Sequence, residues 1–296
     1  MSWKTESSED YHWLKHLSWS GYSLYKKCPE AFRLQYVDKK IVPYNAYHSI
    51  GGKTVQKVFE LFYNNEIWRR GSETQKTLEE ILIKEYNQIC SEETIDWNAT
   101  ESVLSKEALL ESLHPLIAST LKLIKDQKLL GKYSRSEVKI QAWLDKVLIH
   151  GIADFVIQKD SERMILDGKL TRHRNKYLKR DQLVWYVMLY YLQHQIFIDK
   201  TAWIYYTFGE LEWVSVSIED VKRLYEDLKI SIKSIKKREF VPVPSPDNCH
   251  LCDFKSVCHA GQQMELSRKK SAAEKQVKKY EESNSPLLSK SDIITF

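Results

Sequence analysis

The stretch "SEVKIQAWLDKVLIHGIADFVIQKDSERMILDGK", Ser136–Lys169, decides the fold. It reads as three strands joined by two tight turns. In its first part Val138, Ile140, Ala142 and Leu144 alternate with Glu137, Lys139, Gln141 and Trp143, the period-two pattern of a strand with one buried face. Asp145-Lys146 predicts a two-residue loop, "VLIHGIADFVI" a second strand, Asp160-Ser161 a second loop and "RMILDGKLT" a third strand. Loops of that length set Glu137 opposite Asp154, and Asp154 opposite Asp167. Directly opposed side chains on paired strands have Cβ atoms roughly 4.5–5.5 Å apart. Lys169, two residues past Asp167, shares its face.

Three carboxylates in one row repel unless something neutralises them. A divalent cation does so, and a set of carboxylates, water and a backbone carbonyl suits Mg²⁺ or Mn²⁺. Such an ion polarises a phosphoryl oxygen and lowers the pKa of its bound water, which is the chemistry of phosphodiester hydrolysis. A nearby ammonium orients the water or offsets phosphate charge. Gln182 and Tyr186 are four residues apart in "LKRDQLVWYVMLYYLQHQ", so they share one helix face and can support the row.

Outward from this core, "LSWSGYSLYKKCPEAFRLQYVDKK" predicts a helix capped by Ser20 or Ser23, and "YHSIGGKTVQKVFELFYNNEIWRRG" a second, entered through Gly51 and Gly52. From about Thr74 to Lys132 the pattern is helical and charged, as in an insertion. "KTAWIYYTFG" and "LEWVSVSI" predict two more strands, and "IEDVKRLYEDLKISIKSIKKREF" a further helix. The proline-rich "VPVPSPDN" leads into "CHLCDFKSVC", Cys249–Cys258. This order gives a mixed α/β (α+β) fold. Its expected divisions are an N-terminal extension (1–17), one main domain (18–261, with the insertion at 74–132) and a charged tail (262–296).

The 296 residues are 43% hydrophobic and 29% charged, enough to bury a core under a polar surface. No apolar run of about 18 residues is present and the N-terminus lacks a secretory pattern, so a cytoplasmic location without membrane attachment is expected. In a reducing compartment five cysteines read as metal or redox ligands rather than disulfides. Cys249, Cys252 and Cys258 supply three thiolates of a tetrahedral site that needs four, and spacing alone fits zinc and iron–sulfur equally. The net charge of +5 permits nucleic-acid binding, but placement matters more. Arg172, Arg174, Lys176, Lys179 and Arg180 follow Lys169 directly and suit phosphate contacts.

Read together, Gly52-x₃-Gln56-x₃-Glu60, Glu137, "GIAD" ending at Asp154, "DGK" at Asp167-Gly168-Lys169, and Gln182-x₃-Tyr186 resemble the RecB-like branch of the PD-(D/E)xK nucleases. "SWSGYSLYKKCPEAFRLQYV" resembles that branch's N-terminal segment. The iron–sulfur members are most similar: AddB-type domains, CRISPR-associated RecB-like exonucleases and phage relatives. The resemblance implies a restriction-endonuclease-like core. It implies a metal-dependent DNA exonuclease acting in end processing, recombination and repair, or CRISPR adaptation, on DNA that is single-stranded or has free ends. Asp154, Asp167, the Gly168 carbonyl, Gln56 and Glu137 would hold Mg²⁺ or Mn²⁺. Lys169 would act on the water, with Gln182 and Tyr186 in support. Cys28 would be the fourth ligand of a 4Fe–4S cluster, with zinc the alternative, forming a clip between the N- and C-terminal segments. Closing that long loop removes entropy from the unfolded chain. Cys90 is left as an ordinary buried thiol. Many members carry histidine where this chain has Gln56, and that departure favours a second reading, a non-catalytic DNA-binding or assembly subunit. A third is an iron–sulfur redox protein. The acidic-then-apolar C-terminal "SDIITF" is a candidate docking tip for a protein partner.

Overall fold

The computed structural model describes residues 13–41, 46–98, 104–171, 174 and 179–284. The strands are β1 (His16–Ser18), β2 (Tyr133–Leu144), β3 (Val147–Lys159), β4 (Glu162–Lys169), β5 (Lys200–Tyr205) and β6 (Glu210–Val214). The helices are α1 (Trp19–Lys27), α2 (Pro29–Phe32), α3 (Tyr47–Asn64), α4 (Thr74–Glu92), α5 (Lys106–Asp126), α6 (Asp181–His194), α7 (Ile218–Lys236), α8 (Pro246–His250) and α9 (His259–Asn284). Two compact units result: Met1–Tyr22 with Pro43–Arg238, and Ser23–Val42 with Glu239–Phe296. Among the described residues no helix is long and apolar enough to cross a membrane.

The larger unit carries a six-stranded mixed sheet in the order β1-β3-β4-β5-β6, with β2 paired to β3. Both expected hairpins form in the expected register, with Leu144 opposite Val147 and Lys159 opposite Glu162. Asp145 and Lys146 have φ of 47° and 64°, the left-handed backbone that a two-residue loop needs to match strand twist. Lysine pays a steric cost there that glycine does not. Lys146→Gly is therefore expected to stabilise the protein by about 0.5–1 kcal/mol, read as a shift in urea midpoint.

β3 is longer than any one partner on its second edge. β2 covers one edge along its length. The other edge pairs in parallel with β1 at Leu148–His150 and antiparallel with β4 from Phe155 to Lys159. Between these pairings, Gly151 to Asp154 face a gap in the sheet. β4 continues past it to Lys169, held by β5 alone. Helix α6 closes on this gap. A Cβ at Gly151 would stand 3.0 Å from the Tyr186 ring, and the Trp185 indole donates to the His150 carbonyl at 3.2 Å.

The core of the unit joins Phe155 and Leu166 of the sheet to Val58, Phe59 and Phe62 of α3, Leu78 and Leu82 of α4, and Ile117 of α5. Helices α4 and α5 make up most of the described part of the 74–132 segment, and their apolar faces belong to this same core.

Several local expectations need correction. The short strand β1, with three residues, was too brief to show a period. The α1 cap is Ser18, whose Oγ accepts from the Gly21 N–H at 3.3 Å, rather than Ser20 or Ser23. The helix stops at Cys28, which is extended (φ −159°, ψ 105°) before Pro29 opens α2. Proline forces that choice on its predecessor and suits a first helical turn itself. Gly51 and Gly52 lie inside α3, not at its start.

In the smaller unit, Ala31, Leu34 and Phe254 form a compact buried cluster. The Asn248 amide donates to the Lys27 carbonyl at 3.2 Å and to the Val243 carbonyl at 3.0 Å, joining chain segments far apart in sequence. α9 leaves this cluster with its side chains exposed from Leu266 through Tyr280, in keeping with its lysine- and glutamate-rich sequence. "SDIITF" lies outside the described residues.

Candidate active site

The gap in the sheet gathers side chains from β2, β3, β4, α3 and α6. Asp154, at its edge, is only 8% exposed, and Asp167 1%. The Gln56 amide nitrogen donates to Glu137 Oε1 at 2.6 Å and to Asp154 Oδ1 at 3.1 Å. Asp154 Oδ2 accepts from the Gly168 N–H at 2.8 Å. Lys169 forms an ion pair with Asp167 Oδ2, and its ammonium lies 5.3 Å from the centre of the Trp203 ring. The Gln182 amide donates to Asp167 Oδ1 at 3.0 Å and to the Tyr186 hydroxyl at 3.1 Å.

The structure thus brings Gln56, Glu137, Asp154, Asp167, Gly168, Lys169, Gln182 and Tyr186 into one place. Ladder pairing between β3 and β4 ends at Phe155–Leu166, so Asp154 and Asp167 stand where the strands part. Gln56 offers its NH₂ group to the two acids; ligating a cation through its oxygen requires the amide to turn over. Glu60 pairs with Lys57 at 2.8 Å instead of entering the row.

The electrostatics are those of a site short of positive charge. Burial pushes the Asp154 carboxyl well above the usual range, and the negative charge of Asp167 adds to this, against the pull of Lys169 and the Gly168 N–H. Asp167 is raised by burial and held back by Lys169. Glu137 is raised by burial and lowered by its bond from Gln56. Buried carboxylates either keep protons or meet a cation. A divalent ion satisfies that demand, and oxygen donors suit Mg²⁺ and Mn²⁺. As the side chains stand, no three His, Cys, Asp or Glu residues among those described are arranged to hold a metal ion; the donor types and their raised pKa values nonetheless fit one.

Two supporting residues, Ser136 and Asn64, and the backbone conformation of the expected Glu137 were not legible beforehand. Glu137 has φ of 54° inside β2, a strained backbone that non-glycine residues adopt where the surroundings enforce it. Ser136 Oγ donates to the Asp154 carbonyl at 2.6 Å. Asn64 in turn clamps the Ser136 backbone, accepting from its N–H at 3.0 Å and donating to its carbonyl at 3.2 Å. An asparagine at the end of an amphipathic helix gives no sequence signal for that task.

The basic segment divides. Arg180 is committed within the fold: its guanidinium binds Asp220 and the Ser215 carbonyl. Arg174 pairs with Glu210 and lies 4.6 Å from the centre of the Phe208 ring. Lys179 is described just before α6. Arg172 and Lys176 lie outside the described residues.

In the smaller unit Cys28, Cys249, Cys252 and Cys258 line one cavity of about 80 Å³. Burial pushes the Cys252 thiol up, the Phe254 N–H pulls it down, and the neighbouring Cys28, Cys249 and Cys258 push it further up. Four thiols suit either a 4Fe–4S cluster or zinc by donor type, although as the side chains stand no three of them are arranged to hold a metal ion. Cys90 belongs to the larger unit and packs against its core.

Residues 16–259 match the family model described as the PD-(D/E)XK nuclease superfamily. No curated protein matches the chain. Among solved structures, a "Putative exonuclease" from Eubacterium rectale is similar at 12% identity and TM-score 0.49, covering 86% of this chain and 92% of that one. The protein SSO0001 is similar at 16% identity and TM-score 0.32, covering 72% and 96%. Protein VC1899 from Vibrio cholerae follows at 10% identity and TM-score 0.23, covering 75% and 57%. The family match runs from the first strand of the sheet to the start of the last helix, and the chain therefore belongs to the PD-(D/E)XK nuclease superfamily.

Proposed function

We propose that this nuclease is a divalent-metal-dependent DNA exonuclease of the RecB-like iron–sulfur type. The observation that carries the reading is the convergence of the buried Asp154 and Asp167 with the half-buried Lys169 where β3 and β4 part. Asp154, Asp167 and Glu137 would hold Mg²⁺ or Mn²⁺, with the Gly168 carbonyl and Gln56 as further donors. When bound, the ion supplies a polarised phosphoryl oxygen and a more acidic water. The chain's own residues do the rest. Lys169 orients the attacking water and offsets phosphate charge. Gln182 fixes the Asp167 carboxyl, and Tyr186 fixes Gln182. Ser136 and Asn64 hold the Asp154 backbone.

Cys28, Cys249, Cys252 and Cys258 would hold a 4Fe–4S cluster, with zinc the other candidate, as a structural clip. The resemblance to RecB-like exonucleases is what suggests action at DNA ends, and Lys179 with Arg172, Arg174 and Lys176 are the candidate phosphate contacts. Arg180 serves the fold first.

The test compares wild type with Lys169→Ala on end-labelled linear DNA, single- and double-stranded, and on circular single-stranded DNA. Wild type should degrade linear DNA with Mg²⁺ or Mn²⁺, spare circles and stop in EDTA. Lys169→Ala should be slower by about 10²–10³-fold. Equal rates for the two proteins would sink the assignment of Lys169, and rapid cutting of circles would sink the exonuclease reading. The Gln56 NH₂ facing both acids favours the non-catalytic DNA-binding reading, which predicts DNA binding by wild type with no cleavage under either metal.

A further inference from the structure

Tyr206 follows β5, was not singled out by any motif, and is 1% exposed. Its ring stacks on Phe59 with centroids 5.8 Å apart and planes 7° from parallel. Its N–H donates to the Lys169 carbonyl at 3.0 Å. These contacts fix the phenol beside the acidic row. A Cβ built on Gly168 would stand 2.1 Å from the Tyr206 hydroxyl oxygen. The hydroxyl therefore lies directly against the residue between Asp167 and Lys169, and only glycine fits there. That hydroxyl is buried without a hydrogen-bond partner among the described residues. Asp154, Asp167 and Glu137 all bear on it electrostatically.

A buried hydroxyl left unpaired is costly, and folds rarely keep one without a use. Its surroundings are acidic, so the O–H is set to donate. Asp154 and Asp167 Oδ1 are engaged by Gln56, Gly168 and Gln182, while Asp167 Oδ2, ion-paired with Lys169, is also buried without a hydrogen-bond partner. A water placed between the hydroxyl and the carboxylate row would satisfy both.

We propose that Tyr206 is a positioning residue for the catalytic ion, its hydroxyl donating to a water held at the carboxylate row. This rests on the metal-dependent reading above. The hydroxyl gains its partner only when the site is loaded, so it contributes to ion affinity and not to the fold of the metal-free chain.

The test is Tyr206→Phe in the full chain. Mn²⁺ binding is followed by titration calorimetry and by the rise in melting temperature, alongside cleavage rates across a range of Mn²⁺ concentrations. The variant should need about fivefold more Mn²⁺ for half-saturation, with a smaller change in the rate at saturating metal. Its melting temperature in EDTA should equal or exceed that of wild type. Wild-type Mn²⁺ affinity in the variant overturns the proposal. So does a lower melting temperature in EDTA, or failure to fold, since either means the hydroxyl already serves the metal-free fold. Wild type that neither binds Mn²⁺ nor cleaves DNA removes the reading beneath it, a result distinct from a difference between the two proteins.

Discussion

Asp154→Asn is expected to reduce metal-dependent cleavage by at least about 10³-fold, and to flatten the pH dependence of stability in EDTA. The first effect follows from position. Asp154 is the acid that meets Gln56, Gly168 and the electrostatic reach of Asp167 at once. An amide there supplies one neutral oxygen where two charged ones stood. The second effect follows from linkage. The folded pKa of Asp154 is raised by burial and by Asp167, and that of Asp167 by burial. Between the unfolded and folded values the native state binds more protons, so metal-free stability falls as pH rises through that window. Asparagine removes one such group and relieves its neighbour. Thermal melts in EDTA across pH 5–8 should show wild type losing stability toward the alkaline end and Asp154→Asn losing less. The same linkage makes metal binding release protons, so ion affinity should climb with pH. Parallel melting curves for the two proteins would show that the acids are not under burial stress.

Cys28→Ser should have the largest effect on stability. If four thiolates share one cluster, removing the distant one leaves three cysteines within a short segment and opens the longest loop in the chain. Cross-links of this kind contribute about 2–5 kcal/mol, which for a protein of this size is a drop of roughly 5–15 °C in melting temperature. Anaerobically purified wild type should be brown and hold about four irons per chain; Cys28→Ser should be pale and lose the metal. Cys90→Ser, packed against the core of the other unit, should keep it. Zinc in colourless wild type replaces the cluster with the alternative site, and unchanged metal and melting temperature in Cys28→Ser would remove the clip altogether.

The central hairpins were legible because alternation and two-residue turns fix register together, and a slip of one residue would turn every core side chain outward. That register brings the acidic residues near one another, but Glu137 has no ladder partner and Asp154 and Asp167 lie beyond the last β3–β4 pair rather than directly opposed. What stayed hidden has physical reasons. β1 makes its ladder from His16 to Ser18, too few residues for any period. The gap along β3 is a property of two partners meeting one edge, which no local pattern encodes. Glu137 reads as an ordinary strand residue, yet its backbone is left-handed, a conformation imposed by the surroundings. Gly168 was read as a ligand position, whereas its lack of a side chain also answers to a tyrosine 38 positions on. Arg180 was read by charge alone; Asp220 and Ser215, which engage it, lie far along the chain.

The smaller unit has a consequence for how the protein is made. Its halves, Ser23–Val42 and Glu239–Phe296, leave the ribosome far apart in time, with most of the larger unit made between them. Leu34 and Ala31 have no Phe254 to pack on until the last segment emerges. At about 5–20 residues per second, the intervening stretch of roughly 200 residues takes on the order of 10–40 s to appear. During that interval the larger unit can fold while Ala31 and Leu34 wait for their partner, so the small cluster is completed only after the sheet and its helices have been made.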